Sequence, residues 1–183
     1  MKANTLPELT MVQMLAQNAR TMPGRTAIRQ KEFGIWNPTS WSTYFERASD
    51  IAHGLRAIGV GMGGHVAVLS ENRIEWVLAQ MGAGLCGAVT VGVYATSPAN
   101  EVGYVLEHSE TEVIVCEDQE QVDKVIEVQA SLPRLRRIVV IETKGMRAYP
   151  ADLVISFDQL EKDGAADRAR APGLVDKVLA GQR

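Results

Sequence analysis

An α/β fold built on an open, mainly parallel sheet is the class this sequence predicts, and three observations carry it. Four short runs rich in β-branched residues recur along the chain: Val66–Ser70, Ala88–Val93, Val113–Cys116 and Arg137–Ile141. Helical patterns separate them, and turn or cap residues bound each run. Strands that alternate with crossover helices bury both faces of a parallel sheet.

Two elements are expected ahead of that sheet. Thr10 to Arg20 reads as a short amphipathic helix with Met11, Leu15 and Ala19 on one side and a Pro23-Gly24 stop behind it. Thr26–Lys31 and Trp36–Trp41 read as a β-hairpin joined through Gly34, with Pro38 confining it to an edge. Ser40 or Ser42 then caps a longer helix whose apolar positions, from Tyr44 to Ile58, fall three and four apart.

Between the four strands, helices are expected at Ile74–Leu85, from Ser97-Pro98 to His108, and from Gln119 to Leu132 before Pro133. Ser97-Pro98 reads as a cap followed by proline at the first helical position. Beyond them, Val154–Phe157 reads as one more strand and Asp158–Lys162 as a short helix. Residues 164–183 turn to Ala, Arg, Asp, Gly and Gln around one apolar cluster, Leu174, Val175, Val178 and Leu179. The expected division is therefore a subdomain over 1–163, with 164–183 a linker and a helix whose packing partner is missing.

Composition narrows the function classes. A chain of 183 residues can bury a real core, about 70% of its unfolded surface, without a disulfide or metal staple. Net charge is −3 and no basic run occurs, which argues against a nucleic-acid binder. Cys86 and Cys116 sit inside apolar runs with no metal-ligand or Cys-x-x-Cys spacing, so they read as small buried hydrophobes in a reducing compartment. The stretch from Met1 to Leu9 has no apolar h-region, and no run approaches the length of a membrane span. The expected location is cytoplasmic.

Motifs that carry chemistry are scarce. Gly59-Val60-Gly61-Met62-Gly63-Gly64 formally satisfies G-x-G-x-x-G, but it leaves a helix and enters a strand, the reverse of a dinucleotide site. It reads as a structural turn, so replacing Gly59 or Gly61 by Ala is expected to affect folding and not nucleotide affinity. No Walker-type loop and no nucleophile elbow are present; Ser70 lacks the flanking glycines. His53, His65 and His108 lie far apart. Glu117-Asp118-Gln119-Glu120 follows a strand end, where helix-dipole and capping preferences explain the acids. Ser70-Glu71-Asn72-Arg73 and Tyr94-Ala95-Thr96-Ser97-Pro98 follow parallel strands and open helices on one rim of the sheet, with Asn72 and Ser97 as caps.

Those same segments resemble the early core of adenylate-forming enzymes. The resemblance runs through Ala57–Arg73, Glu75-Trp76, Gly82-Ala83-Gly84, Cys86-Gly87-Ala88-Val89, the Tyr94–Pro98 turn leading into Glu101–Glu107, and Leu132–Ile141. It covers Met11 to Glu142; Arg29–Trp36 and Tyr94–Ser97 look closest to long-chain fatty acid–CoA ligases. One departure is Gly64-His65, where the family often has Gly-Asp before a strand. The resemblance implies a piece of the large N-terminal domain of an acyl-CoA synthetase, whose whole enzyme uses Mg-ATP and CoA on a fatty acid. The family's phosphate loop and adenylation lysine have no counterpart here, so no catalytic, cofactor-binding or metal residue is expected in this chain. Alone it is expected to be inactive. Peripheral membrane contact and a homodimer stay open. So do a non-catalytic binding or dimerisation module using the N-terminal helix and hairpin, and a ligase for another carboxylic acid.

Overall fold

A computed structural model describes residues 9–182. The signal-peptide reading of Met1–Glu8 lies outside the described residues. Helix α1, Met11–Thr21, starts where Thr10 and Gln13 form a reciprocal capping box, and it buries Val12 and Leu15. Met11, expected on the inner face, is half exposed. Strands β1, Thr26–Glu32, and β2, Ile35–Ser40, pair antiparallel as a separate two-stranded sheet. Phe33 and Gly34 close the hairpin with φ of 47° and 84°, the type I′ geometry that matches strand twist. Pro38 is tolerated because both strands are edges. Trp41, expected to end the second strand, instead begins helix α2, Trp41–Ala57, because the Ser40 hydroxyl accepts from the Thr43 N–H at 3.2 Å and caps it.

The main sheet comprises β3 (His65–Leu69), β4 (Val89–Val93), β5 (Val113–Cys116), β6 (Arg137–Val140) and β7 (Val154–Ser156). All neighbours are parallel, in the order β4-β3-β5-β6-β7. Helices α3 (Ile74–Leu85), α4 (Ala99–His108) and α5 (Gln119–Val128) are the crossovers; α6 (Phe157–Arg170) and α7 (Leu174–Gly181) close the chain. Successive strand residues serve opposite cores. Val66, Val68, Val113 and Val115 pack with α1, α2, α3, α6 and α7, whereas Ala67, Leu69, Ile114 and Cys116 pack with α4 and α5. The winding reverses between β3 and β5, the place where doubly wound sheets open a crevice.

The C-terminal fifth departs from expectation. The short helix at 158–162 runs on to Arg170, so the boundary at 163/164 falls inside α6. Gly164 and Gly54 let α6 and α2 cross backbone to backbone: a Cβ on Gly164 would overlap the Asp50 carbonyl and lie 2.7 Å from the Gly54 nitrogen. Arg168 donates to Asp50 at 2.6 Å, His53 meets Asp167 at 2.9 Å, and Arg47 forks onto Glu161 at 2.6 and 2.9 Å along the same seam. Nor does α7 lack a partner. Val175 and Val178 are buried. Beyond the helix, the Gln182 side-chain amide donates to the Gly84 carbonyl at the C-terminal end of α3.

Candidate functional site: the C-terminal rim of the parallel sheet

The two rim loops singled out from sequence come together in space. Ser70, Glu71 and Asn72 after β3, and Tyr94, Ala95 and Thr96 after β4, line an open cleft of about 490 Å³ floored by Trp76 and Gly92. Neither loop uses the expected cap. The α3 N-cap is Arg73 and the α4 N-cap is Pro98, both without a side-chain cap bond, so Asn72 and Ser97 do not serve that purpose. Asn72 borders both this cleft and a second, of about 570 Å³, between the hairpin and α3. Ile28, Trp36, Tyr44, Ile74 and Val77 give that neighbour an apolar wall, and burial pushes the Tyr44 hydroxyl up to about 12.

Glu117 organises the rim. Its carboxylate accepts from the Glu71 N–H at 2.7 Å, the Ser70 hydroxyl at 3.1 Å and the Arg73 guanidinium at 3.2 Å. Burial alone would raise its pKa; the hydrogen bonds from Glu71, Arg73 and Ser70, with the Arg73 charge, outweigh it and hold the carboxyl below its ordinary range. Arg73 also reaches Glu142 at 2.5 Å and Glu75 at 3.3 Å. Burial disfavours its charge, but the bonds to Glu142 and Glu117 prevail and raise its pKa. The ends of β3, β5 and β6 are thereby stitched together across the point where the winding reverses. From the adjoining helix, Lys124 donates to the Ala95 carbonyl at 2.8 Å and pins the second loop. The acidic run thus divides: Glu117 locks a loop, Asp118 caps α5 by accepting from the Gln121 N–H, and Glu120 pairs with Lys124.

What this rim can do chemically follows from its charge. A polyphosphate needs uncommitted cations or a nest of backbone N–H groups. Here the one guanidinium is shared among three carboxylates, and Glu71 adds a fourth acid at the cleft. This rim does not fit a nucleoside triphosphate. Elsewhere, His53 is buried against Asp167 and His108 stacks on Tyr104 at 5.8 Å between ring centroids. Both thiols are buried; burial pushes Cys86 up to about 11 and Cys116 further still. Among the described residues no cluster of His, Cys, Asp and Glu is placed to hold a metal ion, and no helix is long and apolar enough to cross a membrane.

Comparison with known proteins decides the family. Residues 15–171 match the AMP-binding enzyme family over most of the chain. The chain belongs to that family. Among curated AMP-binding relatives, long-chain-fatty-acid–CoA ligase ACSBG2 of Xenopus laevis is 31% identical over 135 residues, 74% of this chain and 18% of its own. Long-chain-fatty-acid–CoA ligase FadD15 of Mycobacterium bovis is 29% identical over 153 residues, 84% of this chain and 24% of its own. This chain therefore spans about a quarter or less of the length of these relatives. A solved structure of a putative long-chain-fatty-acid CoA ligase from Rhodopseudomonas palustris superposes with a TM-score of 0.70 at 27% identity, over 83% of this chain and 36% of that one. The A-PCP didomain of carboxylic acid reductase from Segniliparus rugosus, in complex with AMP, reaches 0.76 at 17% identity, over 88% and 27%; that likeness is one of fold.

Sequence reasoning placed the AMP-binding fold and both rim loops but missed the Glu117–Arg73–Glu142 lock. Arg73 and Glu117 are 44 residues apart, and Arg73 and Glu142 are 69. A signal was available: opposite charges stand just beyond the ends of three parallel strands, and parallel pairing brings such ends side by side.

Proposed function

We propose that this chain serves as the N-terminal, substrate-side scaffold of an ATP-dependent fatty acid–CoA ligase. The observation that carries the reading is the family match across residues 15–171, joined to relatives that are long-chain-fatty-acid–CoA ligases. In the reaction so assigned, a carboxylate displaces pyrophosphate from ATP to give an acyl-adenylate. The CoA thiol then displaces AMP to give the thioester. Stabilising a phosphoryl group in flight demands cations and aimed N–H donors. The rim here holds acids with a committed arginine, so polypeptide outside these residues supplies those groups, and Mg-ATP and CoA engage it there. No residue of this chain is assigned a catalytic, cofactor or metal role. Its contribution is positional: Glu117 and Lys124 fix the two loops beside the cleft.

One assay on two proteins tests this. The 183-residue chain is expected to give no ATP–pyrophosphate exchange with any fatty acid. A chimera in which it replaces the matched segment of FadD15 is expected to retain exchange with long-chain acids. Exchange by the short chain alone would refute the scaffold assignment, and so would a folded chimera silent across short, long and aromatic acids.

A further inference from the structure

The β1–β2 hairpin carries an unbalanced cost. Phe33 occupies the first central position of a type I′ turn at φ 47°, where Asn, Asp and Gly are favoured and a bulky side chain is strained. Its side chain is fully exposed, so no burial within the chain offsets the strain, and its apolar surface is left in water. Ile35 and Trp36, next along the tip, are 67% and 59% exposed. Three large apolar side chains thus fall within four consecutive positions at the tip, Ile35 and Trp36 on opposite faces of β2, a concentration unlike the single scattered apolar residues of ordinary surfaces.

Charge around this tip differs from charge elsewhere. The chain as a whole carries −3, yet from Thr10 to Phe45 four cations, Arg20, Arg25, Arg29 and Lys31, face a single acid, Glu32. Lys31 pairs across the strands with Trp36, its ammonium 5.9 Å from the ring centroid, and Arg29 follows two residues behind it, both exposed. Aromatic side chains at an apex with cations set back from it match a bilayer interface: the rings enter at headgroup level while the cations meet anionic headgroups. Apolar insertion and basic attraction are the two signals that reversible membrane attachment needs.

We propose that the hairpin tip, Phe33, Ile35 and Trp36 backed by Arg29 and Lys31, docks onto an anionic lipid surface. This holds whatever reaction the polypeptide supports. Vesicle co-sedimentation of the intact chain tests it, using phosphatidylcholine vesicles with and without phosphatidylglycerol. The chain is expected to bind the mixed vesicles and to bind pure phosphatidylcholine at least about tenfold more weakly, with attachment weakening as salt rises. Arg29→Glu/Lys31→Glu is expected to lower binding to mixed vesicles by about tenfold or more. Phe33→Asn separates docking from folding, because asparagine suits the turn: its Tm is expected to match or exceed the parent's while binding falls. Undiminished binding by Phe33→Asn/Ile35→Ser would overturn the proposal. Equal binding to both vesicle types, or to neither, would overturn it too. A concentration-dependent dimer abolished by the tip variant, with no vesicle binding, would assign the patch to a second copy of the chain instead.

Discussion

Gly164→Ala is the substitution that most sharply tests the packing of the C-terminal helices. Two effects of opposite sign compete. In an unpacked helix the change would stabilise by about 1 kcal/mol through propensity. In this structure the new methyl would overlap the Asp50 carbonyl and sit 2.7 Å from the Gly54 nitrogen. Relieving the nitrogen contact alone requires α6 to retreat by roughly 0.8 Å, and a gap of that size forfeits about a quarter to a half of a dispersion contact. Phe157 and Leu160, which α6 buries, are 2% and 1% exposed. Such side chains contribute about 1.5–3 kcal/mol each, so the retreat removes about 1–3 kcal/mol between them. Stretching Arg168–Asp50 and His53–Asp167 adds about 0.5–1.5 kcal/mol for each bond weakened. After the propensity gain, a net loss of about 1–5 kcal/mol remains, a drop in Tm of about 2–20 °C. Calorimetry reads the sign directly. A Tm that rises by a few degrees would refute the close crossing and return residues 164–170 to the status of a linker.

Three further outcomes are expected. Gly59→Ala should destabilise by about 1–3 kcal/mol in urea melts, since Gly59 sits at φ 97° with the Arg136 guanidinium 3.0 Å from any Cβ. Gly61→Ala, grouped with it on sequence, has open space and a residue-tolerant φ, so it should stay within about 0.5 kcal/mol; equal losses would contradict the turn geometry. Glu117→Gln should speed amide exchange at Glu71 by about tenfold, roughly one charge-assisted hydrogen bond, while β3 amides stay protected. Because the Glu117 carboxyl is held low, that protection should persist from pH 7 through the ordinary carboxylate range near ~4 and be lost only as pH falls through its depressed value, a step absent from the variant. Cys86 and Cys116 should react with a thiol reagent at pH 8 only after guanidinium unfolding; rapid stoichiometric labelling of the native chain would contradict their burial.

How legible the fold was depended on what each element buries. Strands β3, β5 and β6 are buried on both faces, so each shows as a short, mostly apolar stretch rich in β-branched residues that is easily found. Helix α6 buries only a narrow stripe. Phe157 and Leu160 are apolar, but the third contact is Gly164, which in sequence looks like a helix stop and in space is the point of closest approach. The caps were misjudged for a related reason. Asn72 and Ser97 are the right residue types, yet the chain enters α3 and α4 one residue later, leaving both side chains without a capping bond. At the rim, position along the sheet was readable while pairing was not, since Glu117 could be placed at a strand end without revealing that Arg73 would reach it.

The two ends of the described chain also meet. Thr10 donates its hydroxyl to Gln182 at 2.6 Å, and the Gln13 amide donates to the Leu179 and Gln182 carbonyls at 3.1 and 3.3 Å. Residues 10–182 therefore trace a nearly closed loop, whose opening is one hydrogen bond wide. A ring of this kind has no privileged starting point. A few glycines and serines joining Gln182 to Thr10, with new ends cut in the exposed stretch between Glu142 and Tyr149, would permute the order of elements while keeping every strand pairing and both cores. Folding of such a rearranged chain would owe nothing to which helix is made first, and grafting this unit into another protein by its adjoining ends would leave the host's own path almost undisturbed.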